Sequence, residues 1–585
     1  MKRLIKFAAA WLLVAGLALS ASGCSKLKAW STPELSTAQP VVTPAVLPAG
    51  THEDVAFSKL QYQQPDTDAI AKKIEALTAR IASEPQNTES LLTDYEEIIR
   101  LYNDASSELS LAYLLYAFDV TEDNYRLAYS NLQASLTKLD LSMTDVSIAL
   151  FESSPEMEQG VRAALGDDFV ETVYKQETLN DEKIQDLLNA ETELVNEYDR
   201  LMNSFTISYQ GRQLTFDDIV GDATLDYETY YSLYNTYCEQ INQEAGALYV
   251  ELLGIRTQIS ETLGYGSYAA YCYDSYGRDY TVTDAQQLHK AVKQYIVPVY
   301  INAEEDADQL AKLYSTNYQQ QTFFDALSSA AMDFSPQLAE SLGYMLRNKL
   351  YDTKVDVNKM GGSFTTYFAR YKTPFLFTQW TGSAGNLSTI IHELGHFTNY
   401  YLNPNEGWSA GDSLDLAEVD SQALELLMSR YYPMFFGELA DIALDDKLMD
   451  CMYAIITGSM EDEFQQMIYA SPNMTLEQMN ALYLKLAEEY GLKEMYGYTG
   501  TEWVLISHTF QSPMYYISYA VSMLPALELW QRSQTDLDAA RTAYFQIVNR
   551  KPYAEFRSTL NENHLSDVFQ RSTIQELAKF LEGQF

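Results

Sequence analysis

From about Ala56 onward the chain repeats apolar residues at spacings of three and four over long stretches with few breakers. That period marks one face of an α-helix and does not suit a strand. Ile70–Ile81, Thr88–Tyr102, Glu108–Phe118, Asp181–Met202 and Tyr227–Leu263 all carry it. A chain patterned in this way is confined to a mainly α architecture, and with 585 residues it is too long for one hydrophobic core. No internal repeat of fixed period stands out, which disfavours a solenoid. Two short pieces interrupt the helical pattern. Around Phe205–Leu214 the residues alternate and predict a small hairpin, where we set the boundary between an N-terminal helical domain (56–204) and a second, larger domain (205–585). Pro374–Trp380, bounded by Gly361 and Gly362 before it and Gly382 after it, predicts a strand.

The charge balance excludes whole classes of function. Lys and Arg number 39 against 81 Asp and Glu, a net charge of −42. Nucleic-acid binding needs basic side chains to neutralise phosphates, and docking on anionic lipid needs a basic patch. Neither suits this chain. Hydrophobic residues at 47% and charged residues at 21% also rule out wholesale disorder.

The first residues read as an address. Lys2, Arg3 and Lys6 precede an apolar run from Phe7 to Leu19, too short to span a bilayer comfortably but suited to a signal peptide (residues 1–23). The run ends in Ala21-Ser22-Gly23-Cys24, which resembles a bacterial lipobox with Ala21 where Leu is usual. Ordinary cleavage after Ala21 or Gly23, or an uncleaved anchor, is the alternative. Residues 24–55, with Pro33, Pro40, Pro44 and Pro48, read as a lipidated Cys24 followed by a semi-extended tether. These features predict an extracytoplasmic protein anchored to a bacterial cell membrane through lipid on Cys24 only. The remaining cysteines, Cys238, Cys272 and Cys451, match no zinc-ribbon or CxxC spacing and read as buried thiols.

The most informative segment is Ser388 to Tyr401, with Ser388 read as a helix cap and Ile390, Leu394, Phe397 and Tyr401 as the buried face. His392 and His396 are four apart, so both imidazoles leave one face of the helix and can reach one ion. Glu393 sits beside them as a candidate general base. This is the HExxH zinc motif. Gly395 costs the helix about 1 kcal/mol against Ala, which implies a close neighbour.

A catalytic zinc site needs a third protein ligand. The best candidate is Glu418, on a second helical pattern that also carries Asp415 and Glu425 on the same side and ends before Pro433. Delivering Glu418 to the metal would bring Asp415 and Glu425 within reach of the ligand histidines. A third element runs from His508 to Ala520. Ser512-Pro513 predicts a helix start, with Tyr515 and Tyr519 then one turn apart and His508 in the loop before them. Phenol and imidazole donors converging there suit an oxyanion.

Taken together, HELGH at 392–396, the Asp-x-x-Glu-x-x-Ser-Gln-x-x-Glu run at 415–425 and His508 with Ser-Pro-Met-Tyr-Tyr-Ile-Ser-Tyr after it resemble the M3 family of zinc metallopeptidases, in particular its oligoendopeptidase F branch. The resemblance implies a large two-lobed helical fold with a deep substrate channel and a small β-element beside the zinc helix. It implies one zinc ion per chain held by His392, His396 and Glu418, with Glu393 activating a zinc-bound water. His508, Tyr515 and Tyr519 would face the substrate carbonyl, with Tyr516 in reserve. The implied reaction is internal cleavage of short peptides, and the strand at Pro374–Trp380 would offer an edge for an extended peptide. Where the family often has Pro before the Ser of the second motif, this chain has Asp420, which should alter the local helix. Two alternatives stand beside this reading: an HExxH zinc carboxypeptidase, and a tethered peptide-binding lipoprotein without catalysis. Oligomeric state is not written in these residues.

Overall fold

The structure, a computed structural model, describes residues 55–585 apart from 223, 404–407, 409 and 410. The leader, Cys24 and all but the last residue of the tether lie outside the described residues. Among the described residues no helix is long and apolar enough to cross a membrane.

The helical periodicity is met almost throughout. Thr67–Ser83 (α1) begins where the Asp66 carboxylate accepts the Ala69 N–H at 2.9 Å, and it buries Ile70, Ile74, Leu77 and Ile81 as one stripe. Each such side chain contributes about 1.5–3 kcal/mol on full burial. The two helices predicted over Thr88–Tyr102 and Glu108–Phe118 are one, Thr88–Phe118 (α2), because the segment between them holds no Pro or Gly and Ser107 bonds back to the Asn103 carbonyl at 3.0 Å. With Asp123–Ser153 (α3) and the helices Pro155–Leu165 and Asp167–Glu177, these form a smaller hydrophobic core. A larger core gathers the rest of the molecule, including Tyr227–Thr262 (α4).

The predicted hairpin pairs Ile207–Tyr209 (β1) with Arg212–Leu214 (β2) across Gln210 and Gly211, both at positive φ, 48° and 79°. Two positive φ values at the turn are what a tight right-twisted hairpin requires. The second sheet has three strands: Tyr351–Asp352 (β3), Phe364–Phe368 (β4) and Thr373–Phe377 (β5), in the order β3-β5-β4. The strand expected to offer a free edge therefore lies in the middle, parallel to β3 on one side and antiparallel to β4 on the other. Its five residues are all buried, as a strand enclosed by neighbours requires. Among the described residues β3 and β4 each pair with β5 alone, so both are edge strands, and β4 is the longer of the two.

Five further helices build the site: Ala384–Leu402 (α5), Leu414–Met428 (α6), Ala440–Tyr469 (α7), Ile517–Ser533 (α8) and Leu537–Val548 (α9). Ser383, not Ser388, caps α5, its hydroxyl accepting the Asn386 N–H at 3.2 Å. Both serines satisfy the capping preference, and Asn386, which also accepts the Thr381 N–H at 3.0 Å, fixes the earlier start. Helix α6 is buried on every side between α5, α8 and α9.

Candidate metal centre and active site

Helix α6 poses the central electrostatic problem. Asp415, Glu418, Asp420 and Glu425 are all at most 7% exposed on this one helix. A buried carboxylate is costly unless something positive or a set of donors meets it. Asp420 meets Arg550, whose Nη1 lies 2.8 Å from both carboxylate oxygens, while the same guanidinium forks onto Asp412 at 2.8 and 2.6 Å. The helix runs unbroken through Asp420, whose carboxylate gains this ion pair within it. Glu425 receives Lys447 from α7 on one oxygen and His392 Nδ1 on the other at 2.9 Å. Asp415 faces Arg278 at 3.7 Å and not the ligand histidines, a correction to the sequence expectation. The reason is the polar slot that Arg278 occupies: its guanidinium also donates to Ser518 at the start of α8, at 3.0 Å.

Glu418 is the case without such a solution. Its Oε1 accepts the Tyr515 hydroxyl at 3.1 Å, but its buried Oε2 has no hydrogen-bond partner. That oxygen lies 3.7 Å from His392 Nε2, which in turn is 3.2 Å from His396 Nε2. The ligand atoms of His392, His396 and Glu418 all fall within 4.8 Å of one another. Two imidazole nitrogens and a carboxylate with an unanswered lone pair fit a divalent cation of the zinc type. Burial drives His396 well below its ordinary pKa, keeping the imidazole neutral as ligation requires. Glu425, held below the usual carboxylate range by Lys447 and His392 despite its burial, anchors the Nδ1 proton of His392 and so turns the Nε2 lone pair towards the shared point.

Two helices reach this geometry because nothing separates them. A Cβ on Gly395 would stand 2.5 Å from the Cα of Ser421 and 2.6 Å from the Asp420 carbonyl oxygen. The close neighbour implied by a glycine inside α5 is thus the backbone of α6.

Glu393 projects to the sheet side. Its carboxylate accepts the Thr365 hydroxyl of β4 at 2.8 Å, and desolvation pushes its pKa up to about 7. That value suits a group that must both take and return a proton near neutrality. His508 does not lie in a loop; it sits in a short helix, Ser507–Gln511. Nor does the next helix begin at Pro513. Met514 takes a left-handed φ of 63° and gives its N–H to Gln465 of α7 at 2.9 Å, so the chain turns before α8 starts at Ile517. Tyr515 is in that turn and Tyr519 in the first turn of α8, yet their rings still lie 5.4 Å apart. The Tyr519 hydroxyl stands 3.5 Å from His508 Nε2. Burial lowers His508 to about 4, so it acts as a neutral hydrogen-bonding group. Tyr516 packs edge-on to both His508 and Tyr519, at 5.4 and 5.3 Å.

The structure thus brings together all seven site residues singled out from sequence. Thr365, Lys447 and Arg278 went unseen. Sequence carried no signal for Lys447 or Arg278, far from their partners in the chain. Thr365 sits in the strand Phe364–Phe368, whose residues do not alternate between apolar and polar and so gave little signal.

Fold and site together define a mainly helical architecture built around a candidate metal centre of two histidines and a glutamate. Residues 333–550 match the model of Peptidase family M3. A curated relative, the chromosomal oligoendopeptidase F of Lactococcus lactis subsp. cremoris, is 23% identical over 269 residues, 43% of this chain and 42% of its own length. The chain therefore spans about two fifths of the length of that relative. Among solved structures, PZ peptidase A superimposes with a TM-score of 0.76 at 21% identity, over 90% of this chain and 98% of its own. The oligoendopeptidase F of Enterococcus faecium gives 0.60 at 12% identity, over 88% and 96%.

Proposed function

We propose that the protein is a zinc-dependent endopeptidase that cuts internal bonds of short oligopeptides, held outside the cytoplasm by a lipid on Cys24. The observation that carries the catalytic part is the buried Oε2 of Glu418, unpartnered and facing His392 and His396, with Glu393 adjacent in sequence. The leader and its small residues before Cys24 support the anchoring.

When bound, zinc held by His392, His396 and Glu418 supplies Lewis acidity and a water whose pKa falls to about 7. Glu393 takes the proton of the attacking water and passes it to the leaving nitrogen of the peptide. Tyr519 and neutral His508 donate hydrogen bonds to the carbonyl oxygen as it gains charge, while the Tyr515 hydroxyl, given to Glu418, steadies that ligand beside them. The open edge of β4 pairs with the substrate main chain, and Thr365 in that strand steadies the Glu393 carboxylate. Main-chain pairing is indifferent to side chains, which suits broad specificity.

The test is product analysis by mass spectrometry after a blocked, internally quenched nonapeptide meets the metal-loaded protein, with and without chelator and with Glu393→Gln. Internal cleavage that stops on chelation, and that Glu393→Gln lowers by about 10² or more while metal stays bound, is the expected result. Trimming of unblocked peptides alone would point to a carboxypeptidase. Binding with no cleavage of either would point to a capture protein.

A further inference from the structure

Between α2, α3 and the far end of β4 lies a cavity of about 470 Å³, within the size range of small-ligand sites. Tyr102 and Ser106 of α2, Asp140 of α3, Tyr367 and Ala369 at and just beyond the end of β4, and Trp408 are on its wall. Its relation to the metal centre follows from two contacts. Thr365 of β4 touches Glu393, and two residues on, the Tyr367 ring stacks on Tyr400 at 5.3 Å. Tyr400 is seven residues beyond Glu393, two turns along the same face of α5. Strand and helix therefore leave the centre side by side. Four residues of strand separate Thr365 from Ala369, about 13 Å at the usual rise. The cavity stands where the open edge of β4 ends.

A peptide joining that edge antiparallel, the more stable pairing per residue, runs against β4. The part of it near Ala369 is then N-terminal to the bond beside Glu393. The cavity wall has one carboxylate, Asp140, and no Lys or Arg among the described residues. Asp140 already accepts Trp408 Nε1 on Oδ1 at 3.2 Å and hydrogen-bonds Tyr102. A carboxylate oxygen accepts more than one donor, so the held group still has capacity for a cation.

We propose that this cavity is a subsite for an ammonium group carried by the N-terminal part of the peptide, with Asp140 as its counter-ion. The cation comes from the free α-amine or from a basic side chain near it. The inference rests on the peptidase reading, and it adds a preference which main-chain pairing alone does not give.

The experiment uses the full, zinc-loaded protein and a quenched decapeptide in three forms: free amine, N-acetylated, and N-acetylated with Lys as first residue. Acetylation should lower kcat/KM about tenfold, the scale of one charge-assisted hydrogen bond. Recovery with the Lys form would assign the cation to a side chain, and failure to recover would assign it to the α-amine; both support the subsite. Asp140→Asn should bring the free-to-acetylated ratio towards one. Ser106→Lys, which puts a cation on the same wall, should turn the preference towards an N-succinylated peptide, and it decides the matter should Asp140→Asn fail to fold. Equal cutting of all three forms by the unmodified protein overturns the proposal. So does a preference that survives Ser106→Lys. If none of the forms is cut, the peptidase reading fails and the subsite falls with it, a result distinct from equal cutting.

Discussion

Gly395 and Ser421 meet backbone to backbone: a Cβ on the first would stand 2.5 Å from the Cα of the second. The contact sets how far the helix carrying both histidines stands from the helix carrying Glu418. Gly395→Ala has to move a helix, because the obstacle is main chain and not a flexible side-chain end. We expect about 1–3 kcal/mol of lost stability and a fall in zinc affinity of at least about tenfold, since the ligand helices separate. Thermal melts and chelator competition measure both. Unchanged affinity in a folded variant would remove this contact from the account of the site.

The chain Lys447, Glu425, His392 makes a second prediction. Glu425→Gln weakens the acceptor that orients His392, and Lys447→Met leaves the buried Glu425 without its cation. Each should lower metal affinity about 10- to 100-fold, the usual effect of losing such an orienting partner. Competition with a fluorescent zinc chelator would show it. Wild-type affinity in both would mean that His392 is held by packing alone.

The two phenols should separate kinetically. Tyr519 stands near His508 and does not bond Glu418, so Tyr519→Phe should lower kcat by about 10²–10³ with the metal retained. Tyr515 donates to Glu418 at 3.1 Å, so Tyr515→Phe should disturb metal affinity as well as turnover. Steady-state kinetics with metal analysis on both variants decides it, and equal behaviour would contradict the distinct placements.

Stability should carry a pH dependence from a group remote from the metal ligands. Glu461 is buried in α7, accepts the Tyr483 hydroxyl at 2.6 Å, and desolvation pushes its carboxyl from 4.5 up to about 8. The folded protein therefore holds this proton more firmly than the unfolded chain. Its contribution is fully present below about 4.5, declines as pH rises towards about 8, and is level above that. Glu461→Gln should flatten this decline. Urea midpoints at pH 5 and pH 8 would test it: the drop must be smaller in the variant than in the parent.

Much of this was legible in sequence because it is local. The period of three and four gave the helices, and the spacing of His392 and His396 gave half of the metal centre without reference to anything distant. Glu418 was readable because a catalytic site must have a third ligand and α6 offered an acid on an amphipathic-looking pattern. What sequence could not show was pairing across space. Asp415 and Glu425 looked equivalent on one face, yet one meets Arg278 and the other Lys447 and His392. Pro513 carried every sign of a helix start, and a single hydrogen bond from Met514 to Gln465 overrode it. The strand at Thr373–Phe377 was found, but its central place follows from partners whose own signals were weak.

Trp408 lies in sequence between the two ligand helices, but its side chain belongs to the smaller core. Its ring meets Tyr102 and Phe169 edge-on, its N–H is taken by Asn103 at 2.7 Å, and its indole nitrogen reaches Asp140. Trp408 is in this way pinned into helices that carry no ligand. A fragment lacking the N-terminal helices would therefore lose every partner that holds Trp408, a residue placed in sequence between the two ligand helices, and should bind metal less tightly than the full chain.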